Sequence, residues 1–246
     1  MSNRFAGKVA IVTGGASGIG EAIARRIAAE EGRVVIFDGD QDGVQRVARD
    51  TGADPLVVDV GSEESVRDSL DQVVCQFGRL DIVVNSAGIV GPTSTKIVDY
   101  ASADFQRVMQ INLFGSFYMV KHAIPPMLAN NYGRILLFSS IGGKEGNPGM
   151  AGYATSKAGV IGLAKAIGKE YAECGITVNA IAPAVIRTPM NEKTSPEQMK
   201  YMLERIPMHR LGTVEEVASL SCWIVSDEAS FTTGFVFDIS GGRATY

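Results

Sequence analysis

The chain has 246 residues, of which 46% are hydrophobic, and this is enough apolar material for one large core. Its 23 basic and 27 acidic residues give a net charge of −4 without any basic block, so nothing in the charge pattern supports nucleic-acid binding. No apolar run reaches the ~18 residues of a membrane span. The first residues lack a secretory signal pattern, so we expect neither a membrane span nor a leader.

The three cysteines are Cys75, Cys174 and Cys222, and they lie far apart in the chain. Their spacing fits no zinc-binding pattern, and an odd number argues against a disulfide framework. We therefore expect a cytoplasmic protein without a bound metal, in which the cysteines act as small hydrophobic side chains.

A glycine-rich turn follows the first predicted strand, which covers residues 8–12. The turn reads Thr-Gly-Gly-Ala-Ser-Gly-Ile-Gly over 13–20, and residues 21–28 then show apolar positions at helical spacing. This order of strand, turn and helix is typical of a dinucleotide site, although a plain glycine loop is the alternative. Gly14 permits the tight turn, Gly18 lets the backbone approach a pyrophosphate, and Gly20 lets helix and strand pack closely.

A second predicted strand covers residues 33–37 and ends in Asp38, 18 residues after Gly20. An acid at this place can bind both ribose hydroxyls of NAD and would repel the 2′-phosphate of NADP. Its expected neighbours, Ser17 and Gly39, carry no positive charge, so the pattern favours NAD. The alternative is an aspartate that only caps the next turn.

The remaining strand and helix signals alternate along the whole chain. Strands are predicted over 55–60, 80–85, 134–139, 176–181 and 235–239, with helices near 63–77, 103–128, 152–173 and 214–225. The alternation predicts an α/β fold, a doubly wound parallel sheet of about seven strands with helices on both faces, in one domain over 1–246. Six candidate residues fall at the carboxyl ends of strands, where such sheets bind ligands: Gly14, Asp38, Asp59, Asn85, Ser140 and Pro183.

Tyr153 and Lys157 lie four residues apart on a predicted helix, 13 and 17 residues after Ser140. Side chains at this spacing share one helix face, so the ammonium would lower the pKa of the phenol. Ser140 would orient an alcohol or carbonyl oxygen that exchanges a proton with Tyr153. By itself the pattern also fits a solvated pair on a helix surface.

Together these motifs resemble the short-chain dehydrogenase/reductase family in its compact single-domain form, over essentially the whole chain. The resemblance rests on the turn at 13–20, on Asp59-Val60, on Asn85-Ser86-Ala87-Gly88, on Asn112 and on the Ser140, Tyr153, Lys157 set. Three positions depart from the family pattern: Ser86 replaces an asparagine, Ala184 replaces the usual glycine after Pro183, and Ser240 replaces an aspartate.

The resemblance implies a Rossmann-like fold and transfer of hydride between NAD and the substrate carbon without a metal. It implies catalytic roles for Asn112, Ser140, Tyr153 and Lys157, in which Asn112 holds a water beside Lys157. It also implies cofactor contacts at Gly14, Ser17, Gly18, Ile19, Gly20, Asp38, Asp59, Val60, Asn85, Ala87, Gly88, Tyr153, Lys157, Pro183, Ile186 and Thr188.

The segment 185–212 is the least regular part of the chain, and the resemblance implies that it is a substrate lid. The alternative is a surface excursion with a short helix at 196–205. Substrate contacts are expected from Ser140, Lys144, Asn147, Tyr153 and Arg187. Their polarity predicts a small hydroxylated substrate, a sugar or a 2-keto-3-deoxy sugar acid.

Two other functions stay open. Within the family the alternative is a 3-oxoacyl-[acyl-carrier-protein] reductase, against which Asp38 argues because such reductases usually prefer NADPH. Outside catalysis the alternative is an NAD-binding sensor or scaffold, against which the intact catalytic set argues. The family's packing modes, with small residues on the helix from 152 and an apolar end at 231–239, imply a homotetramer. Residues 243–246 are expected to reach a neighbouring subunit.

Overall fold

The structure, a computed structural model, describes residues 3–189, 196–244 and 246. Its sheet has seven parallel strands in the order β3-β2-β1-β4-β5-β6-β7, which confirms the predicted fold class. The strands are β1 Val9–Thr13, β2 Arg33–Asp38, β3 Asp54–Val57, β4 Ile82–Asn85, β5 Gly133–Phe138, β6 Ile176–Pro183 and β7 Val236–Ile239.

Helices connect the strands and cover both faces of the sheet. They are α1 Gly18–Ala29, α2 Gln41–Thr51, α3 Glu63–Phe77, α4 Ser102–Met109, α5 Gly115–Ala129, α6 Ile141–Glu145, α7 Ala151–Glu170, α8 Pro196–Glu204 and α9 Val214–Ile224. No helix in the described ranges is both long and apolar enough to cross a bilayer.

The core lies in two layers because successive strand residues point to opposite faces. Ala10 and Val12 pack on the side of α1, α2 and α9, whereas Val9 and Ile11 pack on the side of α3, α5 and α7. All five residues of β1 are buried, as expected for a central strand of a parallel sheet.

Strand β1 pairs with β2 on one side and with β4 on the other. The order in which strands are added to the sheet therefore reverses at β1. A crevice opens at the carboxyl ends of strands at such a reversal. Thr13 and Asn85, which end β1 and β4, are paired in the register of the sheet and therefore stand together at the bottom of this crevice.

Strand β3 is shorter than the predicted 55–60. Its last residue, Val57, pairs with Asp38, where β2 also ends, and the Val58 amide still donates to the Asp38 carbonyl at 2.9 Å. Beyond that point no partner strand continues. Asp59 instead forms a turn in which its carboxylate accepts the Gly61 amide at 2.9 Å.

Helices α2 and α6 were not predicted. Asp40 caps α2 by accepting the Gly43 amide at 3.1 Å, and Gly52 ends it with φ of +73°. These are ordinary start and stop signals, so α2 was visible in the sequence. Helix α6 has only five residues, two of them glycine, and it gave no periodic signal.

The excursion 185–212 returns to its starting point. Ile186 and Gly212 form a parallel bridge, the Arg187 amide donates to the Gly212 carbonyl at 2.9 Å, and the Gly212 amide donates to the Val185 carbonyl at 3.1 Å. Helix α8 matches the short helix expected at 196–205. Residues 190–195 of the expected lid lie outside the described part.

Candidate active site

The glycine turn after β1 is packed so closely that side chains would not fit. A Cβ on Gly20 would stand 2.1 Å from the Gly14 carbonyl oxygen, and one on Gly14 would stand 2.9 Å from the Ala87 amide nitrogen. Gly14 and Gly18 also have φ of +66° and +53°, which side-chain-bearing residues rarely adopt. The turn thereby brings the start of α1 to the mouth of the crevice.

The first turn of α1 is left without a side-chain cap. Ser17 occupies the capping position, yet its hydroxyl accepts no bond from the helix, unlike Asp40 on α2 or Thr213 on α9. The first amide groups of α1 and its dipole are therefore available to an anion. This open cradle, with Thr188 beside Gly18, fits the pyrophosphate of a dinucleotide, whereas the side chain of Ile19 packs against the core.

Asp38 is fixed at the end of β2 next to this cradle. Its carboxylate accepts the Ala16 amide at 3.1 Å and the Asp40 amide at 3.0 Å. A carboxylate offers about four lone-pair positions, so two remain for the hydroxyls of a ribose. The residue thus caps a turn and also keeps the capacity to bind a ribose.

Arg46 is a functional neighbour that the sequence reading missed. Its guanidinium donates to the Ala16 carbonyl at 2.7 Å, and it also pairs with both carboxylate oxygens of Glu21, at 2.9 and 2.7 Å. The hydrogen bond from Arg46 lowers the pKa of Glu21, which keeps that carboxylate charged. The Arg46 guanidinium beside Ala16 is therefore neutralised within the protein.

Ser140 and Tyr153 are neighbours at the end of β5, because the Ser140 hydroxyl and Tyr153 Cε1 each lie 3.5 Å from the position that a Cβ on Gly142 would occupy. Ser140 begins α6, where its hydroxyl accepts the Gly142 amide at 3.0 Å. Burial raises the pKa of the Tyr153 phenol, and the neighbouring Ser140 hydroxyl offsets part of that rise. The phenol is consequently protonated at neutral pH.

The expectation that Lys157 lowers the pKa of Tyr153 is wrong for this structure. The Lys157 ammonium donates to the Phe138 carbonyl at 2.7 Å and lies 5.8 Å from the centre of the Tyr153 ring. Burial lowers the pKa of Lys157 itself to about 8. Loss of solvent is therefore the largest cause of the pKa shift at both groups.

Ser139 faces away from the pair, although it precedes Ser140 directly. Its hydroxyl donates to the Lys157 carbonyl at 2.8 Å and ties the end of β5 to α7. This contact holds Tyr153 and Lys157, both on α7, at the carboxyl edge of the sheet. The spacing of 13 residues thus selects the serine that the structure places beside the phenol.

Asn112 lies in a turn of π-helix, Gln110–Phe114, that interrupts the helix predicted over 103–128. Its side chain accepts the Ile89 amide at 2.8 Å and donates to the Ile89 carbonyl at 2.9 Å. It also donates to the Ser156 hydroxyl at 3.0 Å. Asn112 therefore joins the loop after β4 to α7, and turns of this kind are frequent at functional sites.

A second polar network supports the floor of the crevice. The Thr13 hydroxyl donates to Asn85 at 2.8 Å and accepts the Ala87 amide at 3.0 Å. Asn85 donates to the Ser116 hydroxyl at 2.8 Å, and Ser116 donates to the Asn112 carbonyl at 2.6 Å. The sequence reading missed Ser116, although its helical spacing from Asn112 places the two on one face.

The loop after β4 packs closely against Asn112, Lys157 and Thr13 through Gly88 and Ser86. A Cβ on Gly88 would stand 3.0 Å from the Asn112 side chain and 3.3 Å from the Lys157 ammonium. Ser86, which departs from the family pattern, donates to the Thr13 carbonyl at 2.5 Å. The loop thus lies against the catalytic candidates, with a hydroxyl in place of the usual amide.

The other expected cofactor residues lie along the same crevice edge. Asp59 and Val60 follow β3, with Asp59 exposed and Val60 buried; Pro183 ends β6, and Ile186 is buried at the base of the excursion. Ala184, which replaces the usual glycine, donates its amide to the Ile239 carbonyl at 3.1 Å.

Lys144 does not join the predicted substrate contacts. Its ammonium pairs with Asp238 at 2.8 Å, its side chain is 9% exposed, and the Tyr246 hydroxyl donates to its carbonyl at 2.8 Å. A lysine neutralised in this way holds β7 and the chain end to α6. The charge that appeared free in the sequence is therefore structural.

Arg187 is also placed elsewhere. It lines a cavity of about 550 Å³ together with residues of α1 and α9, including Glu21 and Val214. Asn147, by contrast, lies beside the candidate pair, because its amide nitrogen is 2.9 Å from the position that a Cβ on Gly142 would occupy. Of the three polar substrate candidates, the structure brings only Asn147 to Ser140 and Tyr153.

The comparisons with known proteins agree with this geometry. A family model described as "Enoyl-(Acyl carrier protein) reductase" matches residues 14–244. The 2-dehydro-3-deoxy-L-rhamnonate dehydrogenase (NAD(+)) of Sphingomonas sp. is 44% identical over 100% of this chain and 99% of its own. The 3-oxoacyl-[acyl-carrier-protein] reductase of Thermotoga maritima is 38% identical over 97% of this chain and 98% of its own.

A solved structure titled "Crystal structure of gox2181" superposes with a TM-score of 0.95 at 33% identity, covering 98% of this chain and 97% of that chain. The glycine cradle, the serine, tyrosine and lysine at the sheet edge, and these whole-chain similarities agree with one another. The chain belongs to the short-chain dehydrogenase/reductase family and is an oxidoreductase of that family.

Proposed function

We propose that this protein is an NAD-dependent dehydrogenase that interconverts a secondary alcohol and a ketone on a small sugar acid of the 2-keto-3-deoxy kind. The observation that carries the proposal is the Ser140 and Tyr153 pair at the sheet edge, with a polar side chain, Asn147, beside it. The 44% identity to a dehydrogenase named for such a sugar acid supports the substrate class.

The residues have separable tasks in this reaction. NAD, held by the glycine turn and Asp38, would supply the hydride acceptor or donor at this site. Tyr153, kept protonated by burial, gives its proton to the carbonyl oxygen in reduction and recovers it in oxidation. Ser140 holds the same oxygen through its hydroxyl. Lys157 supplies a positive charge 5.8 Å from the ring, and Asn112 keeps the loop beside it in place.

Selection of NAD rests on two charges near the cradle. Asp38 would repel a 2′-phosphate, and Glu21 neutralises Arg46, which could otherwise attract one. Asp38→Asn should raise the affinity for NADPH relative to NADH by about tenfold. Fluorescence titration of the two reduced cofactors measures this ratio without any substrate, and an unchanged ratio would contradict the assignment.

The substrate is tested by an initial-rate screen with NAD and NADP. It pairs each cofactor with sugars, 2-keto-3-deoxy sugar acids and their reduced forms, simple secondary alcohols and 3-hydroxyacyl thioesters. We expect the highest kcat/KM with NAD and a sugar acid. Activity confined to NADP and the acyl thioester would establish the carrier-protein reductase instead, which the 38% identical relative represents. NAD binding without turnover of any compound would indicate a sensor or scaffold.

We also propose that the protein assembles as a homotetramer in the cytoplasm. An apolar groove of about 430 Å³ lies between α5 and α7, lined by Leu113, Phe114, Phe117, Gly159, Gly162, Leu163 and Ala166. Phe114 and Phe117 are 45% and 43% exposed, and a second apolar surface carries Phe231 and Phe235. Apolar patches of this kind mark protein interfaces, and two of them suffice for a dimer of dimers.

Light scattering tests the assembly. The wild type should have the mass of four chains. Phe117→Glu should have the mass of two chains, because it places a charge in the groove. Arg67→Ala, on the exposed face of α3, is the matched control and should keep the mass of four chains. A wild-type mass of one chain would contradict the proposal. The location in the cytoplasm stays a prediction.

A further inference from the structure

The seven residues after Ser140 are held by the end of the chain. Arg243 donates from Nη2 to the Glu145 carboxylate at 2.7 Å and from Nε at 3.1 Å, and its side chain is only 7% exposed. The same Nη2 reaches the Asn147 side-chain oxygen at 3.3 Å. One buried guanidinium therefore contacts two polar side chains of this loop, Glu145 and Asn147, 98 and 96 residues away in sequence.

The contact with Arg243 fixes which way the Asn147 amide points. A guanidinium has only donors, so the Asn147 atom that faces it must be the oxygen. The amide nitrogen then faces the opposite direction. There it lies 2.9 Å from the position that a Cβ on Gly142 would occupy, and that position is 3.5 Å from both the Ser140 hydroxyl and Tyr153 Cε1.

Gly142 thus leaves a small space with three polar or reactive neighbours. The Ser140 hydroxyl and the Tyr153 ring border it on one side, and an amide nitrogen with two hydrogen-bond donors borders it on the other. A reacting carbonyl held by Ser140 and Tyr153 would place the neighbouring carbons of the substrate near this nitrogen. An oxygen on such a carbon, whether hydroxyl or carboxylate, can accept its hydrogen bond.

We propose that Arg243 is a positioning residue that orients Asn147 as a hydrogen-bond donor to an oxygen next to the reacting carbon, and so selects hydroxylated substrates over simple alcohols. Glu145 keeps Arg243 in place, and Arg205, just after α8, lies 3.8 Å from the same carboxylate. The inference rests on the proposed function for its substrate class, but the coupling of Arg243 to Asn147 is separate from it.

A double-mutant cycle tests the coupling. Arg243→Ala and Asn147→Ala should each raise KM for the best hydroxylated substrate about tenfold while kcat changes little, because the lost contact is made before and during reaction. The KM of the double variant should rise no more than the KM of either single variant. Additive losses, or a wild-type KM in Arg243→Ala, would overturn the proposal.

Two further variants separate orientation from folding. Asn147→Asp keeps an oxygen for Arg243 but removes the donor, so it should raise KM as much as Asn147→Ala does. Arg243→Lys keeps the charge beside Glu145 and should fold even if Arg243→Ala does not. Its shorter side chain lacks the planar fork with which arginine reaches both partners, so KM should rise; a wild-type KM would count against the proposal.

Substrate selectivity and cofactor affinity are the remaining measurements. In the Arg243 and Asn147 variants, kcat/KM should fall only for substrates with an oxygen beside the reacting carbon. The kcat/KM for a simple secondary alcohol and the affinity for NADH should not change. Arg67→Ala, which breaks an exposed ion pair on α3, is the control and should change none of these. If the wild type turns over no sugar acid, the proposed function fails, and the same cycle on its best hydroxylated substrate still decides the coupling.

Discussion

The two halves of the crevice are built from contacts of very different reach along the chain. In the cofactor half, residues 9–51, Asp38 is held by an amide 22 residues away and Arg46 by a carboxylate 25 residues away. In the substrate half, residues 140–147 with 238–246, Arg243 and Tyr246 reach back 98 and 102 residues.

This difference separates cofactor binding from substrate choice. The cofactor half is built on two strands and two helices that are close in sequence, and its longer contacts come from Asn85, Ala87 and Thr188 rather than from the end of the chain. The substrate half is held by the end of the chain, where Arg243 and Tyr246 contact residues 144–147. Specificity can therefore change in one half while the dinucleotide site stays the same.

The largest effect is expected from Tyr153→Phe, which should separate the halves most clearly. Removal of the phenol hydroxyl removes the proton donor, so kcat should fall about 10³-fold. NADH affinity, measured by fluorescence titration, should stay within twofold. Tyr171→Phe, the same chemical change at the end of α7, is the control and should keep full turnover. Retention of most activity in Tyr153→Phe would remove this residue from the mechanism.

Gly20→Ala should instead weaken cofactor binding. The new Cβ would stand 2.1 Å from the Gly14 carbonyl oxygen, so the turn must shift and the amides of α1 lose their position. We expect NADH affinity to fall about 100-fold. Gly162→Ala is the matched control, because nothing lies within 4 Å of its Cβ position, and it should bind NADH normally. Equal affinities in the two variants would contradict the role of the cradle.

Lys144→Met should affect the substrate half alone. It leaves the Asp238 carboxylate, 25% exposed, without its partner, and we expect the free energy of unfolding to fall by about 1–3 kcal/mol. KM for the substrate should rise, since α6 loses its tie to β7, while NADH affinity should not change. Urea unfolding and steady-state kinetics measure the two effects. Arg67→Ala, which breaks an exposed pair, should cost less than about 0.5 kcal/mol.

The smallest effect concerns Lys157, where the halves meet. Its pKa is lowered by burial to about 8, against 10.5 for the free side chain, so between these pH values the unfolded chain binds the extra proton. This group therefore makes unfolding harder as pH rises through that window, by at most about 1.4 kcal/mol per pH unit. Urea unfolding of wild type and Lys157→Met should show a difference that grows with pH. A constant difference would mean that the lysine has an ordinary pKa.

Local patterns predicted β1, α1 and β2 of the cofactor half well. The glycine spacing and Asp38 each depend on a few neighbouring residues, and even the overlooked α2 carries its capping signals at Asp40 and Gly52. The structural role of Lys144 could not be predicted, because its partner Asp238 lies 94 residues away and no local pattern around either residue indicates that they pair. The direction of the Tyr153 pKa depended on burial, which spacing along a helix does not report.

The bridge between Ile186 and Gly212 has a consequence for how such enzymes diversify. It pins both ends of the intervening segment side by side next to β6, so the geometry at the base does not depend on what lies between. The entropy of closing a loop grows only slowly with its length. Insertions and deletions between Ile186 and Gly212 should therefore change the fixed ends of the segment little. This makes the segment a suitable place to alter substrate preference while the rest of the fold stays the same.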